Sequence, residues 1–369
     1  MEKKEKTREK WVDIVKGVAI MAVVLGHISY QYPVMQLLPI SDLMVWLWHV
    51  PVFFLVGGFF IKEEKLLNPR IFICGKFKSV YLLILYIYIP VLLLHNSLID
   101  MGFYDLTMDY DGKYVTYWGI IDFFKKIFAA VFFAGREPIL GAMWFVYVLF
   151  MALCGLSLIS YILKCLFKED VKYEFVRFVT LLTLAIVSCT LTKLFEFTIP
   201  RGNNTLTAIW LIYIGMIMMQ KKHIAFNNRY IAIASIIIAW HYATIVGGVK
   251  INNNDYETVI SLTMSSIACL YIICYFSKKI EHNLIGRALS IIGRDSFYIM
   301  GLHFFGFKIC SLLLLAMGVD VNLAKLAAPA GNSIVLLFLY LSCGVLIPLG
   351  FMYTFRKMKM IMLNFKNIK

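Results

Sequence analysis

Apolar residues recur along the chain in long, nearly uninterrupted stretches rather than in short amphipathic segments. Ten such stretches stand at roughly 11–31, 42–61, 79–98, 141–163, 175–196, 205–220, 229–247, 258–277, 295–317 and 332–354. A helix that crosses a bilayer needs about 20 mainly apolar residues, and these stretches cluster around that length. A further apolar piece, about 118–135, carries Lys125 and Lys126 at its middle. Its length and charge suit a helix lying in the interface, or a re-entrant segment, better than a crossing. The pattern predicts an all-α, polytopic membrane bundle with about ten transmembrane helices. We read it as a single domain over 1–369, with short basic tails at 1–10 and 356–369. There is no internal repeat and no linker that would set off a second domain.

Composition narrows the class in the same direction. The 369 residues are 61% hydrophobic and 16% charged, with a mean hydropathy of +0.78. A soluble domain is nearer half apolar and a quarter charged. Glycine (23) and proline (9) are too few for a collagenous or low-complexity chain, and the apolar fraction excludes disorder.

The formal net charge of +14 invites a nucleic-acid reading until the charges are placed. With ten crossings and the N-terminus inside, the cytoplasmic segments would hold 27 of the 36 Lys and Arg residues. Every such segment would carry at least three. The loop near 99–117 instead has Asp100, Asp105, Asp109 and Asp111 against Lys113 alone. This is the positive-inside pattern, and it predicts a multi-pass protein of the cell membrane with both termini cytoplasmic. The excess charge is then an orientation signal, with no basic and aromatic stripe for nucleic acid. All eight cysteines fall in or beside apolar stretches, so neither a disulfide framework nor a zinc spacing is indicated. The first stretch lacks a cleavage site and contains Asp13 and Lys16, which predicts a retained signal-anchor.

Ionisable residues inside the apolar stretches are costly and therefore informative. In the first stretch, eleven steps separate Lys16 from His27. At about 100° per residue both lie on one helix face, about 16 Å apart along the axis. Asp13 stands three residues before Lys16 and can pair with it. Bland readings also fit: a snorkelling lysine, a histidine bonded between helices, and glycines (Gly17, Gly26) that permit packing. The second stretch contains His49-Val50-Pro51, then Gly57-Gly58, a proline-interrupted helix with room for close approach. The fourth opens on Trp144-Phe145-Val146-Tyr147, after Arg136 and Glu137. There an interfacial aromatic belt and a surface ion pair are the plain alternatives. The ninth runs Gly293-Arg294-Asp295-Ser296 to His303, where core packing competes with a functional role. His241 is a weaker candidate, and His95, His223 and His282 read as solvated side chains at span ends or in loops.

Together these blocks resemble the acyltransferase-3 family of membrane acyltransferases, and within it the fucose 4-O-acetylase-like branch. Its first helix carries a basic residue, ten intervening residues and a histidine, matched here by Lys16 and His27 behind Asp13. Its second has His-x-Pro-x-Phe-Phe and then Ser-Gly-Phe, matched by His49, Pro51, Phe53, Phe54 and Gly57-Gly58-Phe59. Gly57 departs from the usual serine, which puts in doubt a hydroxyl contact near the site. Trp144-Phe145 and Gly293, Ser296 and His303 match in kind and order, and the resemblance covers essentially the whole chain.

The resemblance implies transfer of an acyl group, usually acetyl, from cytoplasmic acyl-CoA to a hydroxyl of a cell-envelope or exported glycan. It implies acetyl-CoA as a substrate and no permanently bound cofactor; the residues themselves suggest no metal, because the intramembrane histidines sit on different helices with no patterned carboxylates beside them. His27 would act as general base or as a transient acyl carrier, with His49 and His303 holding the acceptor or stabilising the oxyanion. Asp13, Lys16 and Arg294 would meet the donor, helped by Lys76 or Lys78. Trp144, Tyr147, Arg136 and Glu137 would meet the carbohydrate acceptor. The rival reading is a transporter or flippase for a polysaccharide precursor or small solute. The second helix has no broken counterpart in the other half of the chain, as inverted repeats would require.

Overall fold

The computed structural model describes residues 9–29, 40–110, 113–197, 201–220, 225–326 and 333–366, with backbone alone at 29, 359 and 362–366. His223, Asp111 and most of the N-terminal basic tail lie outside the described residues. Among these residues the chain is helical and forms no strand.

Leaving aside one turn at Glu63–Leu66, the helices are α1 (Lys10–Ser29), α2 (His49–Gly58), α3 (Pro69–Leu93), α4 (His95–Asp100), α5 (Ile120–Val131), α6 (Trp144–Leu166), α7 (Asp170–Phe195), α8 (Gly202–Gln220), α9 (Arg229–Ile245), α10 (Val259–Ile280), α11 (Leu284–Arg294), α12 (Ser296–Ala316) and α13 (Ile334–Lys366). Among the described residues, eight helices are long and apolar enough to cross a membrane. Two shorter apolar helices, Asp42–Gly58 and Arg229–Ile245, occupy the other two apolar stretches. The eleventh piece forms α5, whose twelve residues reach only about 18 Å, well short of a crossing. Its apolar side, Ile120, Ile121, Phe124 and Phe128, faces outward.

Helix starts follow local chemistry. Asn228 caps α9 by accepting from the backbone of Tyr230 at 2.9 Å, and Asn283 caps α11 through Gly286 at 2.8 Å. Thr258 and Ser261 close a capping box on α10.

Lipid tails are as apolar as leucine, so helix association in a bilayer depends on close packing rather than on a hydrophobic drive. Glycines supply it here. A Cβ on Gly293 would lie 1.7 Å from the Asp13 carbonyl oxygen, and one on Gly17 would lie 2.2 Å from that of Leu289. The backbones of α1 and α11 therefore touch directly. Gly58 and Gly215 bring α2 and α8 together in the same way, and Gly306 sets α12 against Cys343 of α13. The result places α1 and α8 inside the bundle, while α3, α7 and α13 present most of their apolar surface outward.

Candidate functional site

The two ends of α1 differ in chemistry. At its N-terminal end Lys16 pairs with the buried Asp13 at 3.1 Å. Gly293 packs on this turn, which brings the exposed Arg294 to the same end. Beside it the buried Asp295 holds Arg356 through two contacts, one of them 3.0 Å. Lys278 lies 4.9 Å over the Trp11 ring. Lys76 sits 5.2 Å over Phe72 on α3, a helix that packs mainly on α6 rather than on α1.

At the other end of α1 the histidines converge. The His27 and His303 rings stack with centroids 5.1 Å apart and planes inclined by 29°. Phe304 meets His27 edge-on at 4.8 Å, and Phe307 closes the far side of His303 at 5.6 Å. His49 stands at the start of α2, after a wide turn at Asp42–Trp46. His27 and His49 line one cavity of about 90 Å³ with Trp46, Trp144, Ala142, Lys250 and Asn252.

Local hydrogen bonds decide what two of these rings present. His49 Nδ1 donates to the Val45 carbonyl at 2.9 Å. His303 Nδ1 donates to Ile299 at 2.9 Å and Met300 at 3.0 Å. A carbonyl only accepts, so Nδ1 carries the hydrogen and a neutral ring keeps its lone pair on Nε2. His303 Nε2 is buried without a hydrogen-bond partner among the described residues. In the neutral ring this atom is an acceptor.

The cavity roof comes from a segment that sequence reasoning missed. Trp46 accepts from the Val249 backbone at 2.9 Å, which draws the 246–255 loop over the cavity and brings in Lys250 and Asn252. The Gly247-Gly248 pair was its available signal. Gly247 has φ +84°, and a Cβ on Gly248 would sit 2.8 Å from Asp42 Oδ1.

The acceptor candidates separate. Trp144 lines the histidine cavity, but Tyr147 is fully buried and donates to the Ala130 carbonyl at 2.7 Å. Its hydroxyl is spent on packing α6 against α5. Arg136 and Glu137 line a second, larger cleft of about 290 Å³.

His95, read from sequence as solvated, is buried there between Glu137 Oε1 (2.9 Å from Nδ1) and the Thr116 carbonyl (3.0 Å from Nε2). Nothing local marks it, because its carboxylate partner is remote in the chain. Tyr104 also donates to Glu137 Oε1, at 2.6 Å. Burial, then the Glu137 charge, pushes its phenol well above the usual range and keeps it a donor.

His241 and His282 are exposed. The buried Lys308 of α12 donates to the Leu323 carbonyl. Among the described residues no group of three or more His, Cys, Asp or Glu is set to hold a metal.

A family model described as an acyltransferase domain, that of the acyltransferase-3 family, matches residues 9–353. No curated protein and no solved structure matches the chain.

Proposed function

Since this chain belongs to the acyltransferase-3 family and is a membrane acyltransferase, we propose that its histidine cavity moves an acetyl group from acetyl-CoA to a carbohydrate hydroxyl. The observation that carries this reading is the His27–His303 stack beside a cavity also lined by His49.

A hydroxyl is a poor nucleophile at neutral pH, and an imidazole is the side chain best matched to taking its proton. In the direct route His27 accepts that proton as the acceptor oxygen attacks the thioester carbonyl. The C–O bond forms, the C–S bond breaks, and the proton passes to the departing CoA thiolate. In the two-step route a His27 nitrogen attacks the thioester, the C–S bond breaks and CoA leaves as the thiol with the ring's proton; the acceptor hydroxyl then displaces the acetyl group, the C–N bond breaks and the hydroxyl's proton returns to the ring. Nε2 of His49 and of His303 would hold the acceptor hydroxyl, and Trp144 would meet the sugar ring.

The donor's charged end would sit at Lys16, oriented by Asp13, with Arg294 nearby. Eleven residues of α1 put about 16 Å between that end and His27, a distance suited to an extended arm. We place Lys16 on the cytoplasmic side of the cell membrane, because basic residues concentrate in the segments that would share that side. The acceptor would be a cell-envelope or exported glycan reaching the opposite side, as a fucose 4-O-acetylase-like enzyme would require.

The test supplies radiolabelled acetyl-CoA to membranes containing the protein, together with a panel of glycans. Alkali-labile label on a glycan is the expected result. Solute uptake into sealed vesicles, with no label transferred from any acyl donor, would favour the transporter reading instead.

A further inference from the structure

The turn that roofs the histidine cavity is held from a second direction. It lies in the loop between α9 and α10 and closes on itself. Lys250 and Asp255 exchange backbone hydrogen bonds at 2.8 and 3.0 Å, and the Asn254 N–H donates to the Ile251 carbonyl at 3.0 Å. Lys250, Ile251 and Asn252 line the cavity beside His27 and His49. Asn254 stands outside it, but the closed turn ties its placement to theirs.

Asn254 is 2% exposed and adopts the left-handed region, with φ +56°, which asparagine tolerates better than most residues. Its side chain reaches away from the turn to the ends of two other helices. Nδ2 shares its hydrogens among the Ser188 carbonyl (3.1 Å), Ser188 Oγ (3.0 Å) and Thr192 Oγ1 (3.1 Å), all on α7. A carbonyl only accepts, so the nitrogen of the amide, and not its oxygen, faces α7. Oδ1 accepts from Thr207 Oγ1 of α8 at 2.9 Å. The partners are themselves fixed. Ser188 Oγ donates to the Asn203 carbonyl at 2.6 Å, Thr192 Oγ1 donates to the Ser188 carbonyl at 3.0 Å, and Thr207 meets the buried Tyr256 hydroxyl at 2.7 Å. Asn204 of α8 adds a contact to the Asn252 carbonyl at 3.3 Å.

The piece so held carries groups that suit a sugar. Trp46 and Trp144 bring aromatic surface to the cavity, and Asn252 and Lys250 bring an amide and an ammonium. Neither of these two side chains enters a hydrogen bond among the described residues. The charge of Lys250 acts on the buried Asp42, so the turn contributes hydrogen-bond donors rather than surplus charge. An amide both donates and accepts, which fits neighbouring hydroxyls of a sugar ring. Pockets fix the orientation of a ligand with a small number of such groups. The Val249 bond to Trp46 draws the loop in, and the Asn254 clamp sets where Lys250 and Asn252 come to rest.

Resting on the proposed acyl transfer to a sugar hydroxyl, we propose that Asn254 is a positioning residue for the acceptor. It acts through Asn252 and Lys250, which touch the sugar, and so selects which hydroxyl meets His27. A misplacement of about 1 Å, caused far from the chemistry, can cost about 10²-fold in rate. A clamp two residues beyond the cavity wall is therefore close enough to govern the outcome.

The experiment gives the purified full-length protein radiolabelled acetyl-CoA and four probes: cellotetraose, chitotetraose, galactotetraose and methyl fucoside. Acceptor kinetics, and the position of the acetyl group read by NMR on the product, are compared between wild type and three variants. Asn254→Gly keeps the left-handed backbone and deletes the clamp. Thr192→Val removes one partner of the amide on α7 without touching the turn, and Thr192→Ser keeps that hydroxyl. The expected result is a kcat/KM for the acceptor lower by about 10- to 100-fold in Asn254→Gly. Thr192→Val should lose less, and Thr192→Ser should match wild type. In Asn254→Gly and Thr192→Val the acetyl group should spread to a second hydroxyl, while KM for acetyl-CoA stays unchanged in all three. If Asn254→Gly does not fold, the Thr192 pair carries the test.

A lowered Tm with unmoved acceptor kinetics and one acetylated hydroxyl would overturn the proposal and leave Asn254 as a loop anchor. So would a Thr192→Ser variant as impaired as Thr192→Val, or a change confined to KM for acetyl-CoA. Those outcomes leave acyl transfer itself standing, because label still reaches the sugar. No label on any probe with the wild-type protein would instead overturn the reaction, and this proposal with it.

Discussion

His27 and His303 belong to the first and twelfth helices, yet their imidazoles stack at 5.1 Å between Phe304 and Phe307. Two rings this close act on one small volume, so their contributions to catalysis should not be independent. His27→Ala is expected to lower kcat by about 10²- to 10⁴-fold, the usual range for a lost acid–base group. His303→Gln should also lower it, and the double variant should lose little more than the worse single one. Steady-state kinetics on the three variants checks this. Losses that multiply would show that the two rings contribute independently, contrary to the shared volume described.

The contact between α1 and α11 has no room for a methyl group. Gly293→Ala would drive a Cβ into the Asp13 carbonyl, and Gly17→Ala into that of Leu289. Each should cost at least the 1–3 kcal/mol typical of overpacking, seen as a lower Tm in detergent. Gly57→Ser is the contrast, because the nearest side-chain atom to its added Cβ would be 3.4 Å away. It should fold with a Tm close to wild type. Unchanged Tm values for both α1–α11 variants would contradict the packing described.

Lys16 is held by Asp13 at 3.1 Å, at the far end of the helix that carries His27. If it meets the donor, Lys16→Gln should raise KM for acetyl-CoA by roughly 10- to 100-fold, the worth of a charged hydrogen bond. KM for the acceptor should stay unchanged. Asp13→Asn should shift KM for the donor in the same direction by less. A change confined to the acceptor's KM would remove Lys16 from the donor site.

Orientation is tested without any substrate. A fluorescent protein fused at the C-terminus should mature, and alkaline phosphatase fused there should stay inactive. A cysteine replacing the exposed Lys113 should react with a membrane-impermeant maleimide added to intact cells. The opposite outcome for both reporters would invert the topology inferred from the basic residues.

Much of the bundle was legible in the sequence because a bilayer imposes one length and one polarity on every crossing. The apolar stretches, and the shortness of α5 against a full crossing, follow from that constraint. The face shared by Lys16 and His27 follows from helix geometry alone. What helix geometry cannot supply is a contact between remote elements. Glu137 and His95 are far apart in the chain, and no periodicity links them, so a buried histidine read as a solvated one. Tyr147 looked like an aromatic-belt residue because the Ala130 carbonyl that takes its hydroxyl lies on another helix. Lys250 and Asn252 reach the cavity only because Val249 bonds back to Trp46. The Gly247-Gly248 pair was the one local hint of that approach.

The central claim is that His27 carries the transfer of an acyl group to a sugar hydroxyl. Purified wild-type protein and His27→Ala, each shown to be folded by its Tm, are given radiolabelled acetyl-CoA and the glycan that the membrane assay identifies. The account predicts ester-linked label on the glycan with the wild-type protein and a loss of about 10²-fold or more with the variant. Undiminished transfer by His27→Ala would contradict it.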